Sequence, residues 1–209
     1  MFITFEGTEG CGKTSQIPLL ALYLRQEGYK VVTTREPGGT PIGDQVRAIL
    51  SDLTNTAMQP RTEVLLFQAS RAQHVDELIV PHLQTGHIVL CDRFSDSTLA
   101  YQGYGYQRYL GKIEPIIDFA TGGLKPDLTL LLDMDVEVGL LRRASGGEWN
   151  RLDAMDVEFY QRVREGYHKL VEAEPERWVV INADQSVEMV QAEIRAAVAQ
   201  RLRITQDPA

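Results

Sequence analysis

Cysteine is scarce. Cys11 and Cys91 are the two in 209 residues, too few for the disulfide framework of an oxidised secreted scaffold, and both are expected as reduced thiols. Long apolar runs are missing too. No stretch approaches the roughly 18 residues needed to cross a bilayer, and the apolar start at Met1 leads into a glycine-rich loop with no basic region, so neither a membrane span nor a secretory leader is expected. This predicts a cytoplasmic protein. Basic charge is also short: the formal net charge is −8, which disfavours a broad basic face for polymeric nucleic acid, since phosphate neutralisation dominates that affinity. A small polyanion is a different matter, because a local cluster of arginines and backbone amides suffices to hold it. Arginines do gather in short segments between Arg35 and Arg151. Internal repeats and low-complexity tracts are absent, and the length and 44% apolar content suit one core in a single domain over residues 1–209.

The apolar patterning alternates between short runs and helical spacing. Phe2 to Glu6 reads as a strand ending at glycine, and Ser15 to Glu27 as a helix stopped by Gly28. Further strands are expected at Val31 to Thr34, His87 to Asp92, Leu128 to Asp133 and Trp178 to Asn182. Between them, helical spacing covers Gly43 to Leu50, Thr62 to Leu83 with an interruption at Pro81, Tyr109 to Thr121, Val136 to Arg143 and Asp156 to Ala173. A last helix over Val187 to Arg203 carries Val187, Val190, Ile194, Val198 and Leu202 on one face. Strands alternating with helices imply right-handed crossovers and a parallel sheet covered on both faces, so the expected fold is an α/β three-layer sandwich with five parallel strands. The loop-like insertion Ala144 to Asn150 is a candidate mobile lid.

One motif carries specific chemistry. Gly7-Thr8-Glu9-Gly10-Cys11-Gly12-Lys13-Thr14 matches G-x-x-x-x-G-K-S/T, follows a strand and opens a helix, which is the context that pattern requires. Its glycines permit close backbone approach, so that successive amides and the helix N-terminus point at a nucleotide phosphate. Lys13 supplies mobile positive charge, and the Thr14 hydroxyl is placed to ligate a magnesium ion bridging phosphate oxygens. ATP is the expected donor.

This loop alone does not separate a small-molecule kinase from a nucleotide switch. Regulatory GTPases carry N-K-x-D and D-x-x-G. Here Asn55, Asn150 and Asn182 precede Thr, Arg and Ala, and no aspartate is followed by glycine three residues later. The switch reading loses both signatures. Beside them stand Phe5-Glu6-Gly7-Thr8-Glu9-Gly10, Thr34-Arg35-Glu36-Pro37-Gly38-Gly39-Thr40, Leu66-Phe67 with Ser70-Arg71, and Asp92-Arg93-Phe94 running through Ser97 to Ala100-Tyr101-Gln102-Gly103. Taken together and in this order, they make the chain resemble the thymidylate kinases, and more closely the bacterial members, over nearly its whole length.

The resemblance implies a fold of the P-loop nucleoside monophosphate kinase type, with ATP and dTMP as substrates, magnesium as cofactor and a homodimer. It also implies site residues. Arg93, just past a strand end, corresponds to the holder of the acceptor's 5′-phosphate, and Arg35 is a second clamp unless it is a surface ion pair. Phe67, four residues before Arg71 on one helical face, corresponds to the residue stacking on thymine and Arg71 to the one bonding its edge. Ser97, Tyr101 and Gln102 line the base and sugar side, Tyr101 blocking a ribose 2′-hydroxyl. Glu9 contacts the acceptor sugar and helps organise magnesium. Asp92 is either a partner of hydrated magnesium or a structural acid pairing Arg93 or Lys13. A lid over about 143–153 is expected to deliver Arg151 to the transferred phosphoryl group, since position 10 holds glycine where another subgroup carries arginine. Arg142 and Arg143 are lid arginines or a solvated helix end. Another nucleoside or nucleoside monophosphate kinase is the alternative enzyme.

Overall fold

Five strands form one parallel sheet in the order β2-β3-β1-β4-β5. They are β1 (Phe2–Glu6), β2 (Val31–Arg35), β3 (Ile88–Asp92), β4 (Leu128–Asp133) and β5 (Trp178–Asn182). The computed structural model describes residues 1–146, 151 and 155–206, the side chains of 204–206 excepted. Most of the expected lid over about 143–153, Trp149 included, lies outside the described residues.

The central strand β1 is buried along its whole length, as expected of a strand covered on both faces. Its side chains alternate between two cores. Ile3 and Phe5 join Leu20 and Leu24 of α1 (Lys13–Gln26) and Ile194 and Val198 of α9 (Val187–Gln206). Phe2, on the opposite face, packs with Val89, Cys91 and Phe94. A third cluster joins Leu131 and Trp178 of the sheet to Phe159, Tyr160, Val163 and Tyr167 of α8 (Val157–Ala173).

The remaining helices are α2 (Pro41–Ser51), α3 (Pro60–His74), α4 (Val80–Gln84), α5 (Ser95–Thr98), α6 (Glu114–Thr121) and α7 (Val136–Ser145). Local chemistry sets several starts: the side chains of Thr40, Asp135 and Asp156 accept backbone N–H bonds in the first turns of α2, α7 and α8. Two expectations shift. The long stretch to Leu83 is broken before Pro81, by a π-helical turn over Val75–Ile79, because the proline ring crowds the carbonyl four residues back and the widened turn relieves it. The helix expected from Tyr109 begins only at Glu114, with Pro115 in its first turn and a short 3₁₀ turn at Leu110–Lys112 before it. Proline favours a helix start and has no N–H to continue one.

Register positions the site. Phe5 lies opposite Asp92 across β1 and β3, and Arg35 opposite Asp92 across β2 and β3. The carboxyl ends of these strands therefore bring the glycine-rich loop beside Arg93, in the crevice where open parallel sheets bind ligands.

Candidate active site

The loop from β1 enters α1 without a side-chain cap, Gly12 occupying the N-cap position. No side chain therefore covers the amino end of α1, which is open to an anionic ligand. Lys13 is buried, its ammonium donating to the carbonyls of Gly7 and Thr8 at 2.9 Å each and lying 3.2 Å from Cys11 Sγ. Gly10 has φ +72°, and a Cβ built there would lie 1.9 Å from the Gly139 carbonyl oxygen of α7. The loop has no room for a side chain at that position.

A cleft of about 360 Å³ opens above the loop. Its walls include Glu9, Gly10, Lys13 and Thr14 from the loop side, and Phe67, Arg71, Asp92, Arg93, Ser97, Tyr101 and Gln102 from the other. These residues, far apart in the chain and all expected at the site, share one cavity. Arg93 has a left-handed backbone, φ +67°, uncommon for a non-glycine residue and a feature that clusters at functional sites. Its Nη2 pairs with Glu9 Oε1 at 2.9 Å, and its guanidinium sits 4.9 Å above the Tyr101 ring centre. Tyr101 donates to Glu9 Oε2 at 2.7 Å. Burial pushes the Tyr101 phenol well above its usual pKa, so it stays a protonated donor. Glu9 is thereby fixed between the loop and the Arg93 wall.

Asp92 accepts the Thr14 hydroxyl at 3.4 Å, while Arg93 pairs with Glu9 and Lys13 bonds backbone carbonyls. Thr14, Asp92 and Glu9 line one cavity and offer hard oxygen donors. Among the described residues no group of three or more His, Cys, Asp or Glu forms a cage. Such a sparse oxygen set fits magnesium, which is commonly held by one or two carboxylates with waters and substrate phosphates.

Arg71 is almost wholly buried. It donates to Glu36 Oε2 at 2.8 Å, to Gln68 and Thr98, and to the Phe94 carbonyl. Phe67, half-buried, stands beside it on the cleft wall. Gln102 is tied to Glu63 at 2.9 Å.

Outside the glycine-rich loop, two expected residues stand apart from the cleft lining. Arg35 makes an exposed ion pair with Asp44 at 3.3 Å. Arg151 donates to the Leu50 carbonyl at 2.8 Å and pairs with Glu63 at 2.8 Å. The adjacent arginines at the end of α7 separate: Arg143 lines the cleft, whereas Arg142 pairs with Asp184 at 3.0 Å. Arg47 of α2 joins the cleft without having been singled out; burial, then the charge of nearby Arg35, lowers its pKa. A lone arginine on an amphipathic helix carries no local signal of such a role.

The family model for thymidylate kinase matches residues 5–194. The chain belongs to the thymidylate kinase family. It is 54% identical over 207 residues to the thymidylate kinase of Geotalea uraniireducens, covering 96% of this chain and 97% of that one. It is 50% identical over 210 residues to the thymidylate kinase of a Roseiflexus species, covering 95% and 93%. The crystal structure of thymidylate kinase from Ehrlichia chaffeensis superposes with a TM-score of 0.79 at 37% identity, over 95% of this chain and 98% of that chain. A thymidylate kinase needs a donor half and an acceptor half, and the cleft joins the loop to an arginine-bearing and aromatic wall.

Proposed function

We propose that this protein phosphorylates dTMP to dTDP with ATP. The observation that carries the reading is the sharing of one cavity by Lys13 of the phosphate loop and by Phe67, Arg71, Arg93 and Tyr101. The loop amides and Lys13 hold the donor phosphates, and Arg93 holds the 5′-phosphate of the acceptor. Phe67 stacks on the base, Arg71 meets its edge, and Tyr101, anchored by Glu9, closes the space a ribose 2′-hydroxyl would need. Ser97 and Gln102 complete that wall, and Arg35 acts as an outer clamp.

An oxygen of the acceptor phosphate attacks the γ-phosphorus in line. The new P–O bond forms as the bond to the β,γ-bridging oxygen breaks, and ADP leaves with that electron pair. The attacking phosphate is already anionic, so no general base is required, and positioning and charge neutralisation account for the rate. Thr14 and Asp92, with Glu9, would hold magnesium, which when bound neutralises charge on the donor phosphates. Arg151, released from Glu63, would stabilise the γ-phosphoryl oxygens. The active form is a cytoplasmic homodimer in this reading.

Incubation with Mg-ATP and a panel of nucleosides and nucleoside monophosphates, with ADP formation as readout, tests it. Turnover with dTMP far above the others is expected; preference for another monophosphate or a nucleoside would overturn the acceptor assignment.

A further inference from the structure

Glu6, the last residue of β1, is a fully buried acid that the transfer step does not use. Both of its oxygens are engaged. Oε1 accepts the Phe94 N–H at 2.8 Å, while Oε2 accepts the Ser97 hydroxyl at 2.6 Å and the Tyr167 hydroxyl at 2.8 Å. Arg93 lies on the far side of those same hydroxyls. Its Nη1 donates to Ser97 Oγ at 3.2 Å, to Tyr167 OH at 3.3 Å and to the Gly7 carbonyl at 2.9 Å.

Proton counting decides the direction of these contacts. A hydroxyl has one proton to give and lone pairs to receive. With the Ser97 and Tyr167 protons committed to the Glu6 carboxylate, both oxygens turn lone pairs toward Nη1. The two hydroxyl oxygens lie 2.9 Å apart, near enough for one guanidinium nitrogen to serve both. Burial pushes the Tyr167 phenol well above its usual pKa, so its proton is retained. The Phe94 bond adds a backbone restraint, since it holds the peptide that follows the left-handed Arg93.

We propose that Glu6 is a positioning residue for the acceptor phosphate, acting through Ser97, Tyr167 and the Phe94 amide to fix the Arg93 guanidinium at the cleft wall. This rests on Arg93 gripping that phosphate. A merely structural role fits less well, because burying an acid is unfavourable and an apolar residue would fill a core position at lower cost. Holding Arg93 in one geometry removes the ordering that phosphate binding would otherwise require.

The test is Glu6→Gln assayed at about pH 8, where the wild-type carboxylate is ionised. The glutamine oxygen can still accept from Phe94, but its amide is a donor. It forces the Ser97 and Tyr167 protons toward Arg93 and so turns two acceptors away from the guanidinium. The KM for dTMP should rise at least about tenfold while the KM for ATP stays within about twofold. Tyr167→Phe should raise the dTMP KM less, and Glu6→Gln added to Tyr167→Phe should be markedly less than multiplicative. Equal changes in both KM values, or a loss of rate that only tracks lost folded protein, would overturn the positioning role. If Glu6→Gln does not fold, Tyr167→Phe decides alone, and an unchanged dTMP KM overturns the proposal. Arg93→Ala separates the two levels. If it leaves the dTMP KM unchanged, the phosphate-gripping reading fails; if it raises that KM while Glu6→Gln does not, the failure belongs to Glu6.

Discussion

Arg71 and Glu36 form an ion pair of 2.8 Å with side chains only 1% and 3% exposed. Glu36 also meets His74 Nδ1 at 3.1 Å through its other oxygen. The arginine expected to read the base edge is therefore also a structural tie between the β2 loop and α3, and its removal acts on the fold as well as on the substrate.

Arg71→Ala should accordingly destabilise the protein by about 3–5 kcal/mol, because it strands a buried carboxylate. Urea unfolding measures this. A loss under about 1 kcal/mol would show that water or His74 compensates Glu36 without the arginine.

Phe67→Ala is the cleaner probe of the base pocket, since Phe67 is half-buried and lines the cleft. Stacking of a base on an aromatic ring is worth about 1–3 kcal/mol, so the dTMP KM should rise roughly 5- to 150-fold with little change in the KM for ATP. Steady-state kinetics with each substrate varied in turn checks it. A parallel rise in both would place Phe67 outside the acceptor pocket.

Arg151→Ala should lower kcat by about 10³-fold or more with modest changes in either KM, as for an arginine acting only on the transition state. Lys13→Ala serves as the reference for loss of donor-phosphate charge and should be impaired to a similar order. Single-turnover rates under saturating Mg-ATP and dTMP measure both. Near-normal transfer by Arg151→Ala would remove that residue from the mechanism and leave Arg143, which already lines the cleft, as the arginine to examine.

Stability should also depend on the charge of Glu6. Burial chiefly, then Asp96, pushes its carboxyl up to about 7 from 4.5, against the lowering effects of Ser97, Arg93 and Tyr167. A raised carboxyl binds its proton more tightly in the folded state, so its contribution is fully present below about 4.5 and is lost as pH rises to about 7. The loss is on the order of 3 kcal/mol. Unfolding free energies of wild type and Glu6→Gln across this range should differ by an amount that changes with pH. A constant difference would mean that Glu6 titrates near its ordinary value.

What the chain determined by itself is local. The G-x-x-x-x-G-K-T spacing and the apolar runs of the five strands act within a few positions, through backbone geometry and side-chain alternation, and both are legible without coordinates. The four-residue spacing of Phe67 and Arg71 likewise puts both on one face. What only the tertiary structure decided involves partners distant in the chain. Glu6 and Tyr167 are 161 residues apart, Glu9 and Tyr101 are 92, and Arg71 and Glu36 are 35. Parallel register and helix packing bring these groups together, and no periodicity encodes which buried acid meets which donor. The same packing separated Arg142 from Arg143, set Arg35 in an exposed pair and drew Arg47 into the cleft. Arginines that look alike along the chain are sorted by which surface each helix or strand end presents once the core has formed.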